Sequence, residues 1–209
     1  YDLSMKAIAS LLLLIPALSF AQDRPPLFFR EDWKETPAAL PVTQEHVANP
    51  DLLLGLYGPG KDGIKKSHHD KPADDPYYIW TGQCPANCAI ALRHKSYYVD
   101  LRGQSKIVWR TKQAGFRQLR IILKLANGAW LVSSQCDDAS DDWRVREFNI
   151  SDIRWRNLDI KKVVEGAWAD NPDLSKVDEI GWTDLMVGGE SSACSRVDWI
   201  EVYGGPVKR

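Results

Sequence analysis

The sequence predicts an all-β fold, an antiparallel β-sandwich of jelly-roll type. About nine or ten short β-rich segments follow one another along the chain, with turn residues between them. In addition, residues 116–125 alternate between apolar and polar side chains, as a strand with one buried face does. The apolar face of that segment comprises Leu119, Ile121, Leu123 and Leu125. A sheet with one apolar face requires a second layer to cover it.

The centre of the chain is predicted to form three consecutive strands of one sheet. These strands cover residues 107–112, 116–125 and 129–133. Asn127 and Gly128 are a residue pair strongly favoured in tight hairpin turns, so we expect them to join the last two strands. The other strands are expected to assemble around this segment.

Further strands are predicted on both sides of the central segment. They cover residues 28–35, 52–57, 77–81, 89–95, 143–150, 178–185 and 196–203. Residues 158–168 hold a short stretch with helical character. Residues 58–76 form a long polar insertion, and such loops in compact domains are usually functional or disordered. Residues 22–209 are expected to form a single β-sandwich domain.

The first residues have the pattern of a secretory signal peptide. Lys6 precedes an apolar run at residues 11–18, and residues 19–21 fit a small-x-small cleavage site. We therefore expect residues 1–21 to comprise the signal peptide and the residues upstream of it, and the mature chain to begin near Gln22. Beyond this run, no apolar stretch is long enough to cross a bilayer. The protein is predicted to be secreted or periplasmic, without a membrane span.

The four cysteines are interpreted as disulfides because an exported protein meets an oxidising environment. Three pairings are possible. Cys84 and Cys88 can close a small loop, which leaves Cys136 and Cys194 as a long-range pair. A zinc site is not expected, since the sequence has no CxxC motif and no histidine at ligand spacing from these cysteines.

Several segments resemble the galactose-binding-like jelly rolls, a group that includes certain carbohydrate-binding modules and the complex I intermediate-associated protein 30 group. The resemblance covers residues 28–204 and rests on YVDLRGQSKIVWRTK, ANGAWLVSS, WRVREFNISDIRW, VDEIGWTDLM and SRVDWIEVYG. It implies the sandwich fold and a carbohydrate as the partner, with no catalytic signature. An assembly role in the cell envelope, as in the intermediate-associated group, is a further alternative.

The same resemblance implies a structural calcium ion. The first and last strands of that fold lie close together, and many members hold Ca²⁺ there. Glu31, Asp32 and Asp198 supply the carboxylate oxygens that Ca²⁺ prefers. The alternative is that these acidic residues pair with nearby basic side chains such as Arg30 or Arg196.

Two kinds of residue are predicted to bind carbohydrate. Among the nine tryptophans, Trp80 and Trp168 are the best candidates for exposed stacking rings. Arg93, Arg110 and Arg120 alternate with apolar residues on predicted strands, and they would form a basic stripe if those strands share a sheet. Arginine matches carboxylate or sulfate groups, so an acidic polysaccharide is the favoured ligand. The alternative is that these cations pair with the protein's own carboxylates, as in the acidic segment 137–142.

An enzyme is the alternative to a binding protein. His68, His69 and Tyr78 in or beside the polar insertion are the candidate catalytic residues of a polysaccharide lyase. A glycoside hydrolase would instead need two carboxylates across a cleft, and no motif singles out such a pair. The alternative without a function is that the two histidines lie in a solvated surface loop. The formal net charge of −1 gives no general attraction to nucleic acid, which is not expected as a partner.

Overall fold

The computed structural model describes residues 24–186 and 195–209, and within them the chain forms two antiparallel β-sheets packed face to face. One large apolar cluster fills the space between the sheets, and Trp109 and Trp182 are its largest fully buried side chains. Helical structure in the described part of the chain is limited to three short 3-10 turns. The all-β sandwich of jelly-roll type predicted from the sequence is therefore confirmed.

Six strands in the described residues form the first sheet, called sheet A. In order across the sheet they are β10 (Arg144–Asn149), β7 (Lys106–Lys112), β14 (Arg196–Tyr203), β4 (Tyr78–Trp80) and β3 (Lys65–Ser67), and β1 (Leu27–Glu31) pairs with the second half of β14. The first and last thirds of the chain thus meet in sheet A.

The second sheet, called sheet B, has nine strands in the described residues. In order they are β12 (Val164–Trp168), β11 (Trp155–Asp159), β9 (Trp130–Ser133), β8 (Arg120–Leu125), β13 (Val177–Thr183), β5 (Ala89–His94) and β2 (Leu52–Tyr57). Beyond this path, β6 (Tyr97–Asp100) pairs with the start of β13, and β15 (Gly205–Lys208) pairs with β6. Strand β12 is an edge of sheet B, with β11 as its neighbouring strand.

Strand β8 follows the alternation predicted for it. Leu119, Ile121, Leu123 and Leu125 are buried in the cluster between the sheets, as predicted. On the outer face, Arg120 and Lys124 are half-buried, and Ile122 packs into a second, smaller apolar cluster. Asn127 and Gly128 form the predicted turn to β9, where Gly128 takes a positive φ of 87° that glycine adopts without strain.

The predicted grouping of the three central strands in one sheet is wrong for the first of them. Strand β7 lies in sheet A between β10 and β14, whereas β8 and β9 pair in sheet B. Residues 113–119 carry the chain from one sheet to the other. Alternation identifies which face of a strand is buried, and both sheets bury their inner faces in the same core, so it does not identify the sheet.

The predicted helical stretch is a β-hairpin instead. Strands β11 and β12 pair, and the turn between them is closed by Asp159, whose carboxylate accepts hydrogen bonds from the backbone N–H groups of Lys161 and Lys162. Val163 has a positive φ of 54°, which an α-helix does not contain. The β-branched Val164 and the following Gly166 also favour strand or turn over helix.

The described residues include both cysteines of only one of the two predicted disulfides. Cys84 and Cys88 form a disulfide, as predicted. Cys194 lies outside the described residues, so the predicted pairing of Cys136 with Cys194 stays a prediction. Cys136 is half-buried, and burial together with the neighbouring Asp138 carboxylate raises the pKa of its thiol.

Candidate functional site

The β11–β12 edge of sheet B carries the ring that is most open among the predicted binding residues. Trp168 is 40% exposed and lies opposite Arg156 in the strand pairing. The guanidinium carbons of Arg154 and Arg156 both lie 4.2 Å from the centre of the Trp168 ring system. The ring borders a cleft of about 210 Å³ that Arg154, Asp170 and Asn171 also line.

The two arginines beside Trp168 differ in their partners. Arg156 donates to the carbonyl of Gly166 at 3.0 Å, and its Nε lies 3.9 Å from Glu165. Glu165 also accepts a hydrogen bond from Arg120 at 2.7 Å. Arg154 is exposed, stacks on Trp168, and has no carboxylate partner among the described residues. The edge therefore presents an exposed aromatic ring together with an unpaired cation. This combination can stack an apolar ligand face and bind an anionic group. We call Trp168, Arg154 and Arg156 the edge site.

The predicted basic stripe is not present as one surface. Arg93 and Arg120 lie in sheet B and Arg110 lies in sheet A, because β7 crosses to the other sheet. Each of them has a carboxylate partner: Arg93 contacts Asp178 at 3.0 Å, Arg110 contacts Asp198 at 2.7 Å and Arg120 contacts Glu165 at 2.7 Å. Only Arg120 is brought near the edge site, through the shared Glu165.

Trp80, the other predicted stacking ring, is far less available. It is half-buried on β4 in sheet A, and the Nζ of Lys65 lies 5.5 Å from its ring centre. Its indole N–H is buried without a hydrogen-bond partner in the described part of the chain. The two predicted tryptophans thus lie on different sheets and do not form one platform.

The centre of the outer face of sheet B is closed by its own side chains. The Tyr57 and Trp130 rings meet edge-on at 4.8 Å, and they pack into the second apolar cluster. The buried Glu179 accepts hydrogen bonds from the Tyr57 hydroxyl and from Lys124 Nζ. Burial, reinforced by this bond to Glu179, raises the pKa of Tyr57 above its usual value. Sequence analysis did not single out Glu179, because its partners come from β2 and β8, which are distant in the sequence.

The polar insertion brings two of the three predicted catalytic residues together. Nδ1 of His69 lies 2.9 Å from a carboxylate oxygen of Asp75 and 3.2 Å from the Tyr78 hydroxyl. His68 is turned the other way and stacks on Tyr77 at 4.1 Å between ring centres. Burial raises the pKa of Tyr78. The Asp75–His69 contact orients the imidazole, an arrangement that general bases use.

The carboxylates predicted to bind calcium are engaged by N–H donors. Glu31 is buried and accepts backbone hydrogen bonds from Trp33, Ala48 and Asn49 at 2.7–2.9 Å. Asp32 pairs with Arg30 and Asp198 with Arg110. No group of three or more potential metal ligands occurs within residues 24–186 and 195–209. In this arrangement the donor set does not fit a Ca²⁺ ion, and the calcium site stays a prediction that melting with and without EDTA would test.

The described residues form a jelly-roll sandwich whose β11–β12 edge carries the exposed Trp168 and Arg154. No protein-family model and no curated protein sequence matches the chain. Within the described residues, no helix has both the length and the apolar character to cross a membrane.

Several solved structures of carbohydrate-binding domains are similar to this chain. One is a family 11 carbohydrate-binding module of a cellulosomal cellulase from Clostridium thermocellum, with 19% identity, 82% of this chain and 97% of that chain covered, and a TM-score of 0.45. A family 11 module from the same organism, in complex with a mixed-linked β-1,3-1,4 tetrasaccharide, has 18% identity over 84% and 100% of the two chains, with a TM-score of 0.44. The carbohydrate recognition domain of Emp47p has 8% identity over 83% and 97%, with a TM-score of 0.36. At these identities and TM-scores, the overlaps assign neither a family nor a ligand to this chain.

Proposed function

We propose that the protein binds a polysaccharide through the edge site, and that the polysaccharide is acidic. The observation that carries the proposal is the 40% exposed Trp168 with Arg154 at 4.2 Å from its ring centre and no carboxylate on Arg154 in the described residues. A tryptophan ring has a broad apolar face on which the C–H face of a sugar stacks. The guanidinium fork of Arg154 would then bind the carboxylate or sulfate of the same or the next sugar.

The charge balance around Trp168 supports an anionic ligand. Three cations, Arg120, Arg154 and Arg156, stand against two carboxylates, Glu165 and Asp170, which leaves one excess positive charge. Asp170 also lines the cleft and would accept hydrogen bonds from sugar hydroxyls. Arg154 is exposed to solvent, so its attraction to an anionic ligand should weaken as the salt concentration rises.

We further propose that the protein meets this ligand outside the cytoplasm. The support is the signal-peptide pattern of residues 1–21 and the disulfide between Cys84 and Cys88, a bond typical of oxidising compartments. Polysaccharides of the cell envelope or the surroundings are the ligands available there.

Titration calorimetry with oligouronates from alginate and pectin tests the acidic-ligand proposal. Trp168→Ala and Arg154→Ala should each weaken binding about tenfold or more, because the first removes the stacking face and the second removes one charge-assisted contact. The matched control is Arg102→Ala, since Arg102 is also exposed but is paired with Asp100 at 2.6 Å. Affinity should fall as ionic strength rises. Uronate affinity that is insensitive to salt and to both edge substitutions would contradict the proposal.

A second candidate function is a lyase or hydrolase acting through His69. The observation that favours it is the 2.9 Å contact between Asp75 and His69 Nδ1, with Tyr78 at 3.2 Å. A carboxylate only accepts hydrogen bonds, so Nδ1 donates in this contact and Nε2 is the ring nitrogen left for a substrate. Such a nitrogen can take a proton from a sugar carbon or from water.

Incubation with the same oligouronates, followed by absorbance and reducing-end assays, tests this second candidate. A lyase would generate unsaturated products in the wild type and in His68→Ala, which keeps the Asp75 contact, but not in His69→Ala. No product from the wild type would leave the protein as a binder, and turnover that is equal in both variants would show that any catalysis does not use His69.

A further inference from the structure

A second groove lies beside the β7–β10 edge of sheet A and is lined by residues other than those of the edge site. It runs between the turn at residues 112–115, which follows β7, and the acidic segment at residues 139–144, which precedes and enters β10. Its volume is about 740 Å³, and the half-buried Trp143 forms part of its wall. The Tyr78 ring lies 5.4 Å from the Trp143 ring.

The wall of the groove contains a buried amide that has no hydrogen-bond partner among the described residues. Gln113 lines the groove and is fully buried, and neither its side-chain oxygen nor its side-chain nitrogen has a partner among the described residues. Its backbone is held in place, because its N–H donates to the Ser140 hydroxyl at 3.3 Å and its carbonyl accepts from the Ser140 N–H at 3.2 Å. A buried amide without partners destabilises a fold, so its presence calls for a group that satisfies both its donor and its acceptor.

The charges around this groove balance and mostly pair with each other. Lys112 contacts Asp142 at 3.3 Å, and Arg144 donates from Nε to the buried Asp137 at 3.1 Å. The lining side chains Lys112 and Arg144 are matched by Asp141 and Asp142. The groove therefore offers no net charge to an ion, in contrast to the edge site.

We propose that this groove is a second saccharide site, and that it takes an uncharged, hydroxyl-rich segment of an oligosaccharide. A hydroxyl group both donates and accepts, as the Gln113 amide requires, and the Trp143 ring supplies an apolar face for stacking. Pockets that combine an apolar wall with a few convergent polar groups are typical of small-ligand sites. The proposal concerns a different surface and a different ligand chemistry from the edge site and does not depend on it.

Titration of neutral gluco-, xylo- and galacto-oligosaccharides into the purified protein tests the proposal. Gln113→Met keeps the size of the side chain but removes both polar atoms. It should weaken binding of the neutral oligosaccharide about tenfold, the equivalent of one or two hydrogen bonds, and should raise the Tm by a few degrees. Gln135→Met is the matched control, since the Gln135 amide donates to the Asp152 carbonyl at 3.1 Å on the surface. This control should leave the affinity unchanged.

A second pair of variants keeps the outcome separate from that of the edge site. Trp143→Ala should abolish the neutral binding, whereas Trp168→Ala should leave it intact, and raising the ionic strength should change it little. The proposal is overturned if no neutral oligosaccharide binds, or if Gln113→Met and Trp143→Ala both bind as the wild type does. Loss of uronate binding in Trp168→Ala with retained neutral binding would support both sites, whereas loss of neutral binding in Trp168→Ala would overturn the second site.

Discussion

Two tryptophan–cation pairs lie on sheet B, and they differ in how far the ring is buried and in whether the cation has a carboxylate partner. Trp130 is 8% exposed, with Lys124 Nζ 5.9 Å from its ring centre, and Lys124 also contacts Glu179 at 2.7 Å and Asp178 at 3.2 Å. Trp168 is 40% exposed, with Arg154 at 4.2 Å and no carboxylate on that arginine in the described residues.

The difference shows that an aromatic ring beside a cation does not by itself make a binding site. At the centre of the sheet, carboxylates from β13 satisfy the cation, and the Tyr57 ring and the apolar side chains of the second cluster cover the tryptophan. At the β11–β12 edge, β12 has a neighbouring strand on one side only, so the Trp168 ring stays 40% exposed beneath its two arginines and Arg154 stays exposed to solvent. We infer that the first pair stabilises the fold and the second is available to a ligand.

The largest expected effect comes from removing the buried ring. Trp130→Ala leaves a cavity in the second apolar cluster and should lower the free energy of unfolding by about 3–5 kcal/mol, as measured by urea denaturation. Trp168→Ala is the matched control and should cost less than about 1 kcal/mol, because its ring already faces solvent. Similar losses in the two variants would break the comparison.

The cations provide the next test. Lys124→Met removes a partner of the buried Glu179 and should destabilise the protein by about 1–3 kcal/mol, a range reduced for the partial exposure of Lys124. Arg154→Met breaks no ion pair in the described structure and should change stability by no more than about 0.5 kcal/mol. A larger loss for Arg154→Met than for Lys124→Met would show that the edge cation is structural.

Tyr57 gives a smaller effect that depends on pH. Its folded-state pKa lies above the unfolded value of about 10, so the folded state holds the phenolic proton more tightly than the unfolded state does. The resulting stability is fully present below pH 10 and is lost as pH rises above it. In melting curves, the wild type should therefore lose stability above pH 10 more steeply than Tyr57→Phe. Parallel curves would show that the Tyr57–Glu179 contact does not couple to folding.

The sequence was informative wherever a property depends on local pattern. The bounds of β2 and β14 match the predicted segments 52–57 and 196–203, because both are alternating or apolar runs ended by turn residues. The exposure of Trp168 was also expected, since the sequence around it is rich in predicted loops. The predicted helix failed because the turn at Asp159 and the positive φ at Val163 depend on the pairing of two strands.

Properties that depend on distant partners could not be predicted. The sequence left open whether Arg93, Arg110 and Arg120 face a ligand or pair with the protein's own carboxylates. Each meets a carboxylate that lies at least forty residues away along the chain. Conversely, nothing in the sequence distinguished Arg154 from the other arginines. It is available because no carboxylate of the described residues lies next to it, and that depends on the fold. The His69–Asp75 contact was within reach of sequence reasoning only as a cluster of suitable residue types in one loop.

The most direct test of the account follows the indole N–H signals of the tryptophans by NMR during titration with an oligogalacturonate. Trp168→Phe and Trp130→Phe variants assign the two signals of interest. The account predicts that the Trp168 signal shifts first and furthest, that the shift is reduced in Arg154→Ala and at high salt, and that the Trp130 signal does not move. A shifted Trp130 signal with an unmoved Trp168 signal would contradict it, because the ligand would then bind at the centre of sheet B and not at its edge.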